Sequence, residues 1–507
     1  MTVVSSLGSH HLQSEPSQTE LDTIIVGAGF AGLGMGIQLA RRQSTSFVIL
    51  ERASNIGGSW RDNTYPGVAC DIPSHLYSFS FRPNAKWSKF FADGSEIQQY
   101  LHDSVLAEGL TPHLRLETEV IAMHWDERSE RWSIITDRGE YRSKVLIIAA
   151  GRLSAPKIPD IQGLETFTGP IFHTARWDHL AELQDKRIGV VGTGASAVQL
   201  IPEISRLAKR LVIFQRSAPY VVPRNNRHYP DFEQRVFERD PVSIQRLRSR
   251  LFWKAEIGFA ERVGEPGFVD KLRNRALQHL AKQVQDPQLR ESLTPDYEIG
   301  CKRVLLSDDF YPALASPGVT VEPTALQRVD GEVAIGARGK QYELDALVLA
   351  TGFQAAEPPF AHSVFGRDGL RLADHWSRGM TSYASTMVHG FPNMFVINGP
   401  NASLGHNSAI YMIETQIEFI LRALGNGLIP DEFVLEVTRD AEDAYTEDID
   451  SASASTVWIN GGCESWYVDA RSHRLTLLWP DFAHSFRERI ARSQVSQNQS
   501  SLDAVIH

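Results

Sequence analysis

Gly27-Ala-Gly29-Phe-Ala-Gly32 and Gly192-Thr-Gly194-Ala-Ser-Ala197 are two turns suited to bringing backbone N–H groups against a pyrophosphate. In such a turn the first glycine permits a tight bend and the second lets backbone approach the phosphates. The third small residue allows close packing of helix on strand. The helix that follows offers free N–H groups and a partial positive charge. Two cradles in one chain imply two dinucleotides held near each other, as in the transfer of reducing equivalents between redox cofactors.

The next strands say which nucleotides fit. Glu51 lies 19 residues beyond Gly32 (51 − 32) and is placed to accept hydrogen bonds from ribose hydroxyls. In the second unit Gln215-Arg216-Ser217 stands in the same register, and the acid is gone. A carboxylate there would repel a ribose 2′-phosphate, whereas a neutral amide beside a cation and a hydroxyl would accept one. The second nucleotide is therefore expected to be NADPH rather than NADH. The glycine pattern alone does not separate FAD from NAD at the first site.

Each cradle needs a strand before it and a helix after it. Asp22–Val26, Phe30–Arg42 and Ser46–Leu50 supply the first set, and Arg187–Val191, Ala195–Ala208 and Leu211–Phe214 the second. Continuous apolar strands with crossover helices predict parallel sheets covered on both faces, an α/β fold with two Rossmann-like dinucleotide-binding domains. Each unit later closes with an apolar strand and a small-residue turn, at Val145–Gly151 and Ala346–Gly352, followed by proline-rich stretches. These are the expected domain crossings. They give a discontinuous first domain at 21–155 and 353–490, and a second at 156–352 carrying a helical insertion at about 226–300. Residues 1–20 and 491–507 are Ser/Gln-rich and are expected to be disordered tails. Asn398–Asn407 leads into an apolar helical stretch, Ser408–Leu424, whose positive end would suit an anionic group; the alternative is a surface loop capping an ordinary helix.

Of the 507 residues, 42% are hydrophobic and 22% charged, the balance of a globular enzyme, and the net charge of −10 disfavours nucleic acid. No apolar run has bilayer-spanning length, and the N-terminal residues lack the layout of a secretory signal, so no membrane insertion and a cytoplasmic location are expected. Cys70, Cys301 and Cys463 are far apart in sequence, which suggests free thiols in a reducing compartment and disfavours a flavin disulfide reductase. No His/Cys cluster has metal-ligand spacing.

Two longer patterns narrow the chemistry. Phe167-x-Gly169-x-x-x-His173-x-x-x-Trp177-Asp178 and Gly57-Gly58-Ser-Trp60-Arg-Asp-Asn-Thr-Tyr65-Pro66-Gly67-Val-Ala-Cys-Asp71 match, at every fixed position, the fingerprints of type I Baeyer–Villiger monooxygenases. Together with Ala350-Thr351-Gly352, Gln215–Ser217 and Cys301-Lys302-Arg303, they make the chain from about 21 to 490 resemble that family. The resemblance implies a two-dinucleotide-binding-domain flavoprotein with FAD at the first site, reduced by NADPH. Its expected substrates are oxygen and a ketone, and its product an ester or lactone formed through a C4a-peroxyflavin, with NADP+ retained. It also implies roles: Arg303 as the permanent cation at the reacting centre, Asp71 orienting it, and Lys302 with Arg216 and Ser217 on the 2′-phosphate. Trp466 would contact the nicotinamide nucleotide. Gly58, Trp60, Thr351 and Gly352 would border the cofactors. Phe167, Gly169, His173, Trp177 and Asp178 would form a structural join between domains, not an acid–base group. The competing expectation is a nitrogen- or sulfur-oxygenating flavin monooxygenase working through a hydroperoxyflavin; Arg303 and the Trp177-Asp178 ending favour the ketone chemistry.

Overall fold

The computed structural model describes residues 19–43, 45–261, 263, 265–425, 429–493 and 504–506. Both glycine turns join a buried strand to a helix. Thr19–Val26 leads into Phe30–Arg42 and then Phe47–Leu50; Arg187–Val191 leads into Ala195–Ile204 and then Arg210–Phe214. The second helix is shorter than the sequence pattern suggests and carries Pro202 in its interior.

Two sheets organise the molecule. The first has eight strands, with Thr19–Val26 between Phe47–Leu50 and Gly139–Ile148, both parallel to it. Met394–Val396 joins alongside Leu146–Ile148, so a distant part of the chain completes the first sheet. Val120–Asp126, Arg131–Thr136 and Gly139–Ile148 form an antiparallel meander, because short turns connect them where a parallel pairing would need a long crossover. The second sheet has five strands, all parallel, in the order Val319–Glu322, Arg210–Phe214, Arg187–Val191, Ala346–Leu349, Ile171–His173.

Successive strand residues feed opposite cores. Ile24, Val48 and Leu146 face one apolar cluster while Ile25, Ile49 and Ile147 face the other, which is why these strands read as unbroken apolar runs. Gly34 and Gly36 are explained by packing: a Cβ at Gly34 would lie 2.9 Å from the Phe79 ring, and one at Gly36 would lie 2.7 Å from Ile49 Cδ1.

The segment from 226 to 300 contains the helices Asp231–Arg239, Pro241–Ile257, Pro266–Gln283 and Pro287–Ser292. Its buried Glu256 carboxylate accepts hydrogen bonds from Asn407 Nδ2 (2.8 Å), His484 Nδ1 (2.7 Å) and the backbone N–H of Ala483 (3.2 Å). Burial alone would raise its pKa, but bonds from His406, Asn407 and His484 hold it down to about 2. An ionised group therefore clamps the helical segment onto elements of the C-terminal part of the chain.

The expected tails need correction where they are described. Thr19 and Glu20 begin the first strand, Ala491 and Arg492 end the helix Ala483–Arg492, and Ala504–Ile506 pairs with Leu435–Val437. The remaining tail residues, 1–18, 494–503 and 507, lie outside the described residues. Among the described residues, no helix is long and apolar enough to cross a membrane, and no group of His, Cys, Asp and Glu could hold a metal ion.

Candidate functional site

The first cradle has the backbone its residues require. Gly27 sits at φ +106°, and a Cβ there would lie 2.6 Å from the Ala149 carbonyl oxygen. A Cβ on Gly32 would fall 1.8 Å from the Gly27 carbonyl oxygen, whereas Gly29 has only Gly58 near it, at 3.8 Å. The turn is thus tight where strand meets helix and open where a phosphate must approach. Glu51 is buried, and its carboxylate accepts the Ala28 N–H (2.9 Å) and meets Arg61 Nη1 at 2.9 Å. A carboxylate held beside the turn by Ala28, Ala53 and Arg61, with open space at Gly29, fits an adenine dinucleotide bound through ribose and pyrophosphate.

The second cradle repeats this geometry with a different charge. Gly192 takes φ +107° and would place a Cβ 2.5 Å from the Ala350 carbonyl oxygen; Gly194 has open space, and Ala197 is fully buried. Gln215 is buried and donates to the Ser292 carbonyl (2.7 Å), so the amide anchors the helical segment as well as removing a charge. Lys302 Nζ donates to Ser217 Oγ at 2.7 Å and lies 4.7 Å over the Tyr297 ring. Burial and the Arg216 cation lower the Lys302 pKa. Arg216 is exposed at 71% and only loosely met by Glu464 at 3.8 Å. Two cations and a hydroxyl converge here with little carboxylate to neutralise them, which fits a 2′-phosphate.

Between the cradles, Arg303 Nε donates to Asp71 Oδ2 at 2.7 Å, joining segments 232 residues apart. The Asp71 charge raises the guanidinium's pKa further; burial of Asp71 is outweighed by Arg303, which holds the carboxyl below its ordinary range. The pair is a fixed cation and a fixed anion at any working pH. Two residues not singled out in the sequence also shape it. Tyr467 interacts with Arg303, and Arg224, which donates to the Cys70 carbonyl (3.0 Å), helps keep Asp71 ionised. Arg224 lies in no recognisable motif and Tyr467 only adjoins Trp466, so tertiary proximity exposes their link to the pair.

The stretch Gly57–Asp71 bridges the two units. Gly58 abuts Gly29, Trp60 Nε1 donates to Tyr77 OH (3.3 Å), and Tyr65 OH donates to Gln199 Oε1 (2.8 Å) on the helix after the second turn. Burial raises the Tyr65 pKa to about 12, so its hydroxyl keeps its proton. The Phe167–Asp178 stretch lies beside it, with Arg176 meeting Asp62 at 3.7 Å and His179 bonded to Thr64 (2.8 Å).

Within that stretch the side chains are engaged in packing and local hydrogen bonds. Phe167 is buried, a Cβ on Gly169 would lie 2.1 Å from the Asp345 carbonyl oxygen, and Trp177 meets the Phe172 ring edge-on at 4.9 Å. Asp178 accepts the Leu180 N–H at 2.9 Å. His173 accepts the Ala175 N–H through Nδ1, and its ring lies 5.7 Å from Phe353, one residue beyond Thr351-Gly352. Burial lowers its pKa to about 4, so the imidazole stays neutral near pH 7. Thr351 Oγ1 donates to the Lys157 carbonyl (2.6 Å) and Lys157 N–H to the Gly352 carbonyl (2.8 Å), tying the two crossings together.

The expectation of three separate thiols is corrected. Cys301 and Cys463 are disulfide-bonded with Cα atoms 6.2 Å apart, and only Cys70 is free. Their separation of 162 residues hid the contact, since sequence distance does not limit distance in a fold. Cysteine usage therefore no longer argues for a reducing compartment. The bond carries the 461–467 segment to Lys302 and Arg303; Trp466 there is 47% exposed, against Tyr467 at 4.5 Å. The helix Ala409–Ala423 begins with Ser408 accepting the Ile410 N–H (3.2 Å), so its positive end follows the Asn398–Asn407 loop.

The chain is similar to known flavin-dependent monooxygenases along nearly its whole length. Residues 24–241 match a family model described as pyridine nucleotide-disulphide oxidoreductase. A Baeyer-Villiger monooxygenase of Streptomyces coelicolor is 42% identical over 94% of this chain and 92% of its own. A cyclohexanone monooxygenase from Rhodococcus sp. Phi1 bound to NADP+ superposes with a TM-score of 0.83 and 28% identity, over 94% of this chain and 97% of the other. OTEMO in complex with FAD and NADP superposes with a TM-score of 0.81 and 25% identity, over 94% and 98%.

Proposed function

The chain belongs to the Baeyer–Villiger monooxygenases, FAD enzymes that use NADPH and oxygen to insert an oxygen atom beside a ketone carbonyl, and on that premise we propose which residues carry the reaction. The cradle of Gly27, Gly29 and Gly32 would hold FAD, with Glu51 for its ribose and Gly58, Trp60 and Asp71 bordering it. Gly192, Gly194 and Ala197 would hold NADPH, with Arg216, Ser217 and Lys302 for its 2′-phosphate and Thr351, Gly352 and Trp466 bordering it. Residues 19–155 with 353–492, and 156–352, are the corresponding domains.

When bound, the flavin supplies the oxygen-activating chemistry. The chain's own task is electrostatic. Arg303 remains cationic and is aimed by Asp71, so it stabilises negative charge on oxygen as the carbonyl becomes tetrahedral. Fixed in place before reaction, it needs no reorganisation at that moment. The Arg303–Asp71 contact of 2.7 Å is the observation that carries this assignment. His173 and Trp177 hold the join between domains and transfer no proton. Nitrogen or sulfur oxygenation, which needs a protonated oxidant, is less well served by a permanent cation. A cytoplasmic location belongs to this reading through the supply of NADPH there, not through cysteine usage.

The test of the whole reading is turnover of a panel of linear, cyclic and aromatic ketones with NADPH and oxygen, with products identified by mass spectrometry. At least one ketone should gain a single oxygen as ester or lactone. If NADPH is consumed and every ketone is recovered unchanged, the assignment fails.

The nucleotide assignment makes its own prediction. Lys302→Met should raise KM for NADPH by about 10- to 100-fold, the loss of one charge-assisted contact of about 1.5–3 kcal/mol, with little change for NADH. Steady-state kinetics with both nucleotides measures this. Equal losses for both would remove Lys302 from the phosphate site.

A further inference from the structure

The disulfide Cys301–Cys463 joins the two loops that face the second nucleotide site, and the reaction described above makes no use of it. On one side Cys301 is followed directly by Lys302, whose Nζ donates to Ser217 Oγ at 2.7 Å, and by Arg303. On the other, Cys463 opens the stretch that carries Glu464, 3.8 Å from Arg216, and the half-exposed Trp466. This stretch is pinned at both ends. The Glu298 N–H donates to the Gly461 carbonyl (3.1 Å), and Tyr467 is buried in the apolar cluster that also holds Ile299 and Cys301. Gly462, Glu464 and Trp466 between those ends are exposed, so the covalent bond is their strongest tie to the Lys302 loop.

The two sulfurs differ in access. Cys301 is fully buried, whereas Cys463 is half-buried between exposed Gly462 and Glu464, so an external thiolate meets Cys463. In the NADPH-supplied cytoplasm of the reading above, such bonds are usually transient, catalytic or redox-sensing. Resting on that reading's placement of NADPH at Arg216, Ser217 and Lys302, we propose that Cys301–Cys463 is a thiol–disulfide exchange site for a dithiol reductant, and that its redox state sets the affinity for the nicotinamide nucleotide. A reductant thiolate attacks the Cys463 sulfur, the bond to Cys301 breaks, and Cys301 leaves as a thiolate that takes up a proton. The reductant's second thiol attacks the mixed disulfide and releases Cys463 as a thiol. The reductant departs as a disulfide, having given up the two electrons and two protons that the enzyme gains. With the bond open, Gly462–Trp466 moves independently of Lys302, and ordering it against the nucleotide costs binding free energy.

The test compares the FAD-loaded enzyme after oxidised glutathione and after dithiothreitol. Alkylation under denaturing conditions, read by mass spectrometry, should label only Cys70 in the first state and all three cysteines in the second. On reduction, Kd for NADP+ and KM for NADPH should rise about 5-fold or more, the low end of coupling between sites, while kcat at saturating NADPH changes less. Re-oxidation should reverse the change. Cys463→Ser should keep the raised values in both conditions. A second measurement needs no variant: by linkage, saturating NADP+ should shift the exchange equilibrium toward the disulfide by the factor that reduction costs in NADP+ affinity. Alkylation in graded dithiothreitol buffers reads that shift, and a bond that merely braces the fold would not respond to nucleotide. Three labelled cysteines after oxidised glutathione, a bond that survives dithiothreitol in the folded enzyme, or unchanged Kd and KM with the bond open would each overturn the inference. Bleaching of the flavin by NADPH in either state leaves the NADPH reading standing; no bleaching in both defeats the two together.

Discussion

Arg303→Ala is expected to lower ester formation by at least about 10²- to 10³-fold, the cost of removing one preorganised charge from a developing oxyanion. Reduction of the flavin by NADPH should survive, because in the proposed arrangement Lys302, Arg216 and Ser217 hold the nucleotide phosphate independently of the guanidinium. The variant should therefore consume NADPH without yielding ester. Two measurements separate the steps: rapid-mixing absorbance follows flavin bleaching, and mass spectrometry follows product. Asp71→Asn should cause a smaller loss, since Arg303 keeps its charge and loses only the carboxylate that aims it at 2.7 Å. If Arg303→Ala makes ester at near the wild-type rate, another cation performs this task.

Gly27→Ala should yield a protein that purifies colourless. Two independent costs meet at this position. A backbone at φ +106° is poorly tolerated by a residue with a Cβ, and that Cβ would stand 2.6 Å from the Ala149 carbonyl oxygen. The neighbouring atom is backbone just past the strand Gly139–Ile148, held by the Ala149 N–H to the Val26 carbonyl (2.9 Å), and cannot swing aside as a side chain could. Relief must come from opening the turn, which withdraws the N–H groups from the pyrophosphate. The matching change at the second turn distinguishes the cradles. Gly192 has φ +107° and a Cβ distance of 2.5 Å to the Ala350 carbonyl oxygen, so Gly192→Ala should stay yellow yet fail to be reduced by NADPH. Flavin content after purification and bleaching under anaerobic NADPH check both. A fully flavinated Gly27→Ala would mean that FAD does not sit on this turn.

The tails and the cysteines show where reading along the chain went astray. Thr19 and Glu20 look like more of a polar tail, yet the strand Gly139–Ile148 supplies hydrogen-bonding partners that extend the first strand back to them. Composition measures the absence of apolar surface but not the presence of an unpaired sheet edge. Likewise, 162 residues between Cys301 and Cys463 told nothing of a contact made by two loops meeting beside Arg303.

The chain by itself determined the two cradles, the ribose acid at Glu51 and its replacement by Gln215, since these depend on neighbours in sequence. A turn needs its glycine in place, and a strand carries its acid a fixed distance on. Tertiary structure alone decided that Tyr467 and Arg224 join the Arg303–Asp71 pair and that Cys301 is bonded to Cys463. Charge pairing depends on distance through space, and folding sets that distance for residues that the chain keeps far apart.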